Sequence, residues 1–193
     1  MSFLAPRVPP PRSPLDGDPV RWYEERLGWA TVAGPPVALV TGLRFDVLEL
    51  SAEAGRAVLR RTGAGGTGPV ALAGRRMRLL VAAGSAEELP GLLDWLEWGG
   101  ISLDLTALGA GSRMAAPVPP GWSGSGAPGA AVWLRAPEPG RAVEASLPAL
   151  RPAARADAAG PCLVRLVAAA AAECHRVRLL NAQQPARQRF ASS

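Results

Sequence analysis

Short apolar segments recur along this chain, and their composition restricts its fold more than any other feature. The segments VALVTGLRFDVLEL (37–50), GPVALAG (68–74), RRMRLLVAAG (75–84) and AAVWLRAP (130–137) are rich in Val, Leu, Ala, Thr or Phe. Segments of this length and composition, bounded by Gly and Pro, predict β-strands. Gly74 lies between two of them, so these two strands are expected to pair as a hairpin.

Helix signals separate the strand segments. Asp18, Ser51 and Ser85 each precede a helical run and are suited to cap its N-terminus. Pro90 is expected to shorten or split the third of these helices, and a last helix is predicted over 161–180. Mixed strands and helices predict an α/β class, an α+β sandwich in which a mixed or antiparallel sheet packs against helices, with a C-terminal helix added.

The glycines and prolines predict the domain organisation, because they concentrate in loops and tails. We expect a disordered Pro-rich leader at 1–17, a folded domain at 18–150, a linker with the C-terminal helix at 151–182 and a flexible tail at 183–193. The leader contains PRVPPPRSP, which has the spacing of a polyproline II recognition segment. A protein partner that binds through this leader is therefore one expectation.

Composition permits contact with nucleic acid without requiring it. The formal net charge is +5, and all 21 basic residues are arginine, which is typical of a GC-rich bacterial genome. Cys162 and Cys174 fall in one predicted helix about 18 Å apart, too far for a disulfide. With no apolar segment long enough for a bilayer, we expect a cytoplasmic protein that does not bind membranes.

The order of the segments resembles that of one family. GWATVAGPPVALVTGLRFDVLEL (28–50), RRMRLLV (75–81), ISLDLTALGAGSRMAAPVPPGW (101–122) and GAPGAAVWLRAP (126–137) follow one another as do the motifs of the N-terminal domain of bifunctional DNA primase/polymerases. This prim-pol domain belongs to the archaeo-eukaryotic primase superfamily. The resemblance covers about 18–139, which is most of the predicted domain.

The resemblance implies nucleotidyl transfer with two Mg²⁺ or Mn²⁺ ions held by carboxylates. The positions that match the acidic motifs are Asp46, Glu49 and Asp104, which makes them the candidate metal ligands of an active enzyme. Asp46 and Asp104 are the candidate catalytic residues. The chain departs from the family pattern, because a shared metal pair requires acids at i and i+2 of the first strand.

Asp46 and Glu49 are three residues apart, so a regular strand points them to opposite faces unless a bulge intervenes. Arg76 and Arg78 occupy the strand where the family carries a histidine. Only Asp104 matches its family position well. These departures favour a catalytically degenerate domain that retains nucleotide or nucleic-acid binding.

In such a domain, phosphate groups would bind to Arg76, Arg78 and Arg113, and Trp122 in its Gly/Ser/Pro loop would stack on a base of single-stranded DNA. Less specific interpretations stay open for these residues. Arg76 and Arg78 would form a solvated hairpin face neutralised by nearby Asp and Glu, and Asp104 would accept N–H groups from the Gly-rich turn after it.

Other features have mainly structural interpretations. Trp95 and Trp98 are expected in the core between helix and sheet, and GAGGTG (63–68) is expected to be a flexible turn rather than a phosphate loop, since it lacks the lysine. Two alternatives to a degenerate domain remain. One is an active primase/polymerase that uses an unusual local geometry; the other is a protein-interaction module that reuses the fold.

Overall fold

The computed structural model describes residues 17–122, 130–140, 142–150 and 161–190, with four α-helices and eight strands in these ranges. The helices are α1 (Pro19–Leu27), α2 (Ala52–Thr62), α3 (Ser85–Trp95) and α4 (Leu163–Phe190). The strands are β1 (Thr31–Val32), β2 (Ala38–Val40), β3 (Phe45–Ser51), β4 (Val70–Ala73), β5 (Arg76–Ala82), β6 (Leu105–Leu108), β7 (Arg113–Ala115) and β8 (Val132–Arg135). In these ranges, no helix combines the length and the apolar character that a bilayer span needs.

The strands form two antiparallel sheets. The larger sheet has the order β6-β3-β5-β4-β8, and the smaller one has the order β1-β2-β7. Helices α2, α3 and α4 cover one face of the larger sheet, where Leu48, Leu50, Met77 and Leu79 are fully buried. Helix α1 and residues of the smaller sheet pack with the other face around Trp29. The predicted α+β sandwich with an antiparallel sheet and a C-terminal helix is confirmed.

Local sequence accounts for the first two helices as expected. The Asp18 side chain accepts a hydrogen bond from the Val20 N–H at 3.0 Å, and Gly28 ends α1 in the left-handed conformation, with φ of 65°. The Ser51 hydroxyl accepts the Ala54 N–H at 3.3 Å at the start of α2. The β4–β5 hairpin turns at Gly74, whose φ is 56°.

Three expectations about local structure are wrong. Ser85 is the first residue of α3 rather than its cap, and Pro90 lies inside that helix without splitting it. Pro90 removes a single intrahelical hydrogen bond, while Leu89 and Leu92 bury the helix on the sheet. Helix α4 continues beyond the expected end at 180 to Phe190, through a stretch of mostly Ala, Gln and Arg, which favour helix.

Helix α4 is an integral part of the core and not only an appendage after a linker. Leu163, Leu166, Ala170 and Cys174 are buried with the sheet residues on the helix-covered face. Both cysteines are free thiols, as expected. The predicted leader, apart from Gly17, the predicted linker segment at 151–160 and the last three residues of the tail lie outside the described residues.

The aromatic residues of α3 and its C-terminal turn do not all reach the core. Trp95 is 71% exposed, so its expected place between helix and sheet is wrong. Trp98 is half-buried and its ring lies 5.5 Å from that of His175 in α4. Trp95 ends the helix just before the chain turns at Leu96, which leaves its ring beyond the helix–sheet contact.

Candidate functional site

The register of the larger sheet brings an acid and two arginines together on one face. Glu49 in β3 lies directly opposite Arg78 in β5, and Ser51 lies opposite Arg76. Because side chains alternate along a strand, Glu49, Arg76 and Arg78 all point away from the helix-covered face. At this end of the sheet the three side chains retain contact with solvent. The exposed fraction of the side chain is 18% for Glu49, 31% for Arg76 and 16% for Arg78.

These residues form one hydrogen-bonded group with Asp104. The Arg76 Nε donates to Glu49 Oε1 at 3.1 Å, and the Arg78 Nε donates to Glu49 Oε2 at 2.8 Å. The Arg76 Nη1 donates to both carboxylate oxygens of Asp104, at 2.6 and 2.7 Å. We refer to Glu49, Arg76, Arg78 and Asp104 as the arginine–carboxylate cluster.

The charges of the arginine–carboxylate cluster stabilise one another. Burial acts to raise the pKa of Glu49, but the hydrogen bond and charge of Arg78, followed by those of Arg76, outweigh it and hold this pKa below its usual value. Burial acts to lower the pKa of Arg76, and the carboxylates of Asp104 and Glu49 reverse that effect and raise it. The surroundings therefore favour the ionised forms of Glu49 and Arg76.

Arg78 retains an unused donor inside the cluster. Its Nη1 atom is buried and has no hydrogen-bond acceptor among the described residues. A buried donor without an acceptor costs about 1–3 kcal/mol, and more when the group is charged. An oxygen atom supplied from outside the chain would remove that cost.

Asp104 lies at a bend immediately before β6, not within a strand. The Cys174 thiol in α4 donates a hydrogen bond to the Asp104 backbone oxygen at 3.4 Å, which connects the Asp104 main chain to this helix. Burial first, and then the Asp104 charge, raise the pKa of this thiol to about 12. The Asp104 side chain is 57% exposed. Its main chain is thus fixed, while its carboxylate can turn into solvent.

The expected role of Asp104 in the following turn is wrong. Its carboxylate accepts hydrogen bonds from Arg76 instead of from the N–H groups of the Gly-rich turn. Arg76 reaches it across β3, because β6 is the edge strand on the other side of β3. The alternative expectation, a hairpin face on which Arg76 and Arg78 are neutralised by nearby acids, matches the observed contacts.

Asp46 lies on the opposite face of β3, as its spacing from Glu49 predicts. It is 1% exposed, and its Oδ2 accepts the Ala86 N–H at 2.9 Å, in the first turn of α3. Asp46 thus caps the N-terminus of α3, the role expected of Ser85. It contacts this helix rather than the arginine–carboxylate cluster. This position argues against its candidate roles in catalysis and metal binding.

The carboxylates do not fit a two-metal centre. Asp46 is separated from Glu49 and Asp104 by the sheet, and the latter two hold guanidinium groups that would repel a cation. Among the described residues, no group of three or more His, Cys, Asp or Glu side chains is arranged to hold a metal ion. We therefore derive no metal-dependent step for this site.

The remaining candidates lie in other surroundings. Arg113 begins β7 in the smaller sheet, opposite Val40, and it makes no hydrogen bond or ion pair with the cluster within the described ranges. Trp122 is half-buried against the second core around Trp29. Its ring therefore packs partly with the protein, and its predicted stacking on a base remains a prediction.

Sequence analysis missed two contacts that define this region. One is the link from Arg76 to Asp104, and the other is the Asp46 carboxylate at the start of α3. Strand alternation puts Arg76 and Arg78 on one face, but their contact with Glu49 depends on the pairing of β5 with β3, which the β4–β5 hairpin turn at Gly74 does not specify. No local signal marks the other two contacts, which depend on how β6 and α3 are placed around β3.

Comparison with known proteins adds no relative, because no protein-family model, no curated protein and no solved structure matches this chain.

Proposed function

We propose that this protein binds the phosphate groups of a nucleotide or of single-stranded DNA at Arg76 and Arg78, without catalysing nucleotidyl transfer. The observation that carries the proposal is the contact of Arg76 Nη1 with both oxygens of the exposed Asp104 carboxylate. A carboxylate in this position provides the two oxygen acceptors that a phosphate would also present. Asp104 thus occupies an anion site in the absence of ligand.

Binding would proceed by exchange of anions. A phosphate oxygen displaces the Asp104 carboxylate from Arg76, and the released side chain turns into solvent. The exchange costs little, because exposed ion pairs contribute about 0–1 kcal/mol. Glu49 stays in place, since its carboxylate holds both arginines by their Nε atoms. Its backbone oxygen accepts from Arg76 Nη2 at 3.4 Å, which leaves Arg76 Nη1 for the ligand. The Arg78 Nη1 atom is buried, so it donates to a phosphate oxygen only when the Arg78 side chain shifts outward.

The resemblance to the prim-pol domain agrees with the proposed nucleotide ligand, but it also implies metal-dependent nucleotidyl transfer, which the proposal does not include. A nucleotide is the expected ligand of a fold with that order of motifs. The opposite orientations of Asp46 and Glu49 and the arginines beside Glu49 argue against the family's metal-dependent reaction. A partner bound through the Pro-rich leader remains a prediction, because that segment lies outside the described residues.

Arg76→Gln is expected to weaken binding of a short fluorescent thymidine oligonucleotide about tenfold at low salt. A hydrogen bond to a charged group contributes about 1.5–3 kcal/mol, so the loss of one phosphate contact has at least this effect. The slope of log K against log salt should fall by about one. Fluorescence anisotropy titrations at several salt concentrations measure both quantities.

Arg75→Gln is the matched control, because Arg75 is exposed at the neighbouring hairpin turn and its substitution changes the net charge equally. It should weaken binding less than threefold. Equal losses in the two variants would mean that net charge alone drives the binding. No binding by the folded wild-type protein at low salt would overturn the proposal.

A further inference from the structure

A second arginine-lined site lies away from the cluster, between the end of α2 and the start of α4. It is a cavity of about 480 Å³. The guanidinium-bearing residues Arg61 and Arg165 line it from the two helices, and Gly65 and Gly66 line it from the turn that follows α2. This turn belongs to GAGGTG (63–68), which has no role in the proposed function.

The charge of this cavity is positive and weakly compensated. No acidic side chain is among the described residues that line it. Arg61 Nη1 lies 3.8 Å from Glu173 Oε1, a long contact, and Glu173 also accepts the Arg176 Nε at 2.7 Å. Arg165 is exposed and forms no ion pair within the described ranges. If Arg61 moves away from Glu173, the Glu173 carboxylate keeps its ion pair with Arg176.

The turn after α2 packs closely on that helix at Gly66 and leaves free space beside Gly65. A Cβ atom at Gly66 would lie 2.6 Å from the Cβ of Thr62, so this close approach of the turn to α2 requires glycine. A Cβ at Gly65 would meet no atom within 4 Å, which shows free space beside the backbone. Bare backbone at such positions allows an anion to approach closely. The volume is typical of sites for small ligands.

We propose that this cavity binds a phosphate-bearing small molecule, a phosphomonoester or a pyrophosphate, between Arg61 and Arg165. Two arginines from different helices line one partly open cavity, and two guanidinium groups suit a doubly charged phosphate better than a carboxylate. The site shares no residue with the arginine–carboxylate cluster. The proposal of this site can therefore be tested independently of the proposed function.

Titration with inorganic pyrophosphate by isothermal calorimetry tests this site. The parent protein is Arg76→Gln, which weakens binding at the cluster equally in every variant compared. Arg61→Gln combined with Arg165→Gln should weaken pyrophosphate binding at least tenfold. Arg60→Gln, an exposed arginine of α2 outside the cavity lining, should leave it within about twofold. Circular dichroism melting of each variant verifies folding, and the single variant Arg165→Gln replaces the double variant if that one unfolds.

Two results would contradict the proposal that this cavity binds phosphate. One is absence of pyrophosphate binding by the folded parent at low salt, and the other is equal affinity in the parent and the cavity variants. The outcome is separable from that of the proposed function. Replacing Arg61 and Arg165 in a protein with intact Arg76 should weaken oligonucleotide binding only by the small factor per charge expected for Arg75→Gln.

Discussion

Glu49→Ala is expected to lower the free energy of unfolding by about 3 kcal/mol. Glu49 is the carboxylate that bridges Arg76 and Arg78, at 3.1 and 2.8 Å. Its removal leaves the partly buried Arg76 and Arg78 guanidinium groups side by side with only Asp104 to compensate them. Breaking a pair from one side costs more than the pair contributes, because the partner charge stays desolvated. Urea denaturation followed by tryptophan fluorescence measures the change.

Glu144→Ala provides the matched control, since Glu144 also pairs with an arginine, but both partners are exposed. The Arg44–Glu144 contact is 3.4 Å, with 56% and 44% of the side chains exposed. Its loss should cost less than about 1 kcal/mol. If Glu49→Ala and Glu144→Ala have the same small effect, the cluster does not contribute to the stability of the sheet.

The Glu49 contribution should also depend on pH. Its pKa is held below the usual value of about 4.3, so the unfolded chain takes up a proton at a higher pH than the folded protein does. The stabilisation is therefore complete well above pH 4.3 and is lost as pH falls through the lower pKa of the folded state. Glu49→Ala should consequently lose less stability than the wild type between about pH 5 and pH 3.

Gly42→Ala is expected to destabilise the fold by roughly 3 kcal/mol or more. Gly42 has a φ of 87°, and an added Cβ would lie 2.3 Å from the Cα of Ala110. Strain of a left-handed residue costs about 1–2 kcal/mol, and overpacking against backbone adds about 1–3 kcal/mol. The neighbouring Thr41 hydroxyl donates to the Gly109 carbonyl at 2.7 Å, so the clash separates two hydrogen-bonded segments.

Gly74→Ala isolates the contribution of the steric clash. Gly74 also has positive φ, 56°, but nothing lies within 4 Å of an added Cβ at the hairpin turn. This variant should lose only about 1 kcal/mol, from backbone strain alone. Thermal and urea denaturation of both variants measures the difference. Equal losses would contradict the close packing of the Thr41–Gly42 segment against the loop after β6.

The sequence predicts those parts of the fold that depend on neighbours in the chain. Asp18 and Ser51 cap their helices, and Gly74 turns its hairpin, because each acts within a few residues of itself. Alternation alone also assigns Asp46 and Glu49 to opposite faces of β3. The α+β class with helices packed on a sheet also follows from the pattern, but the division of the strands into two sheets and their order do not.

The site could be predicted only in part, because its contacts join distant segments. Arg76 meets Asp104 only because the sheet places β6 beside β3, and 28 residues separate the two side chains in the chain. Asp46 caps a helix that begins about 40 residues later, so Ser85, the better local candidate, is not needed as a cap. Trp95 has the spacing of a core residue, yet the end of α3 leaves it exposed.

Asp104→Asn in the oligonucleotide titration tests the central claim most directly. If Asp104 occupies an anion site on Arg76, its neutralisation should tighten binding roughly two- to fivefold, the equivalent of an exposed ion pair of about 0.4–1 kcal/mol. Glu144→Gln makes the same change of net charge at an exposed ion pair and should have a smaller effect. Weaker binding in Asp104→Asn, or Mg²⁺-dependent primer extension that this substitution abolishes, would contradict the account.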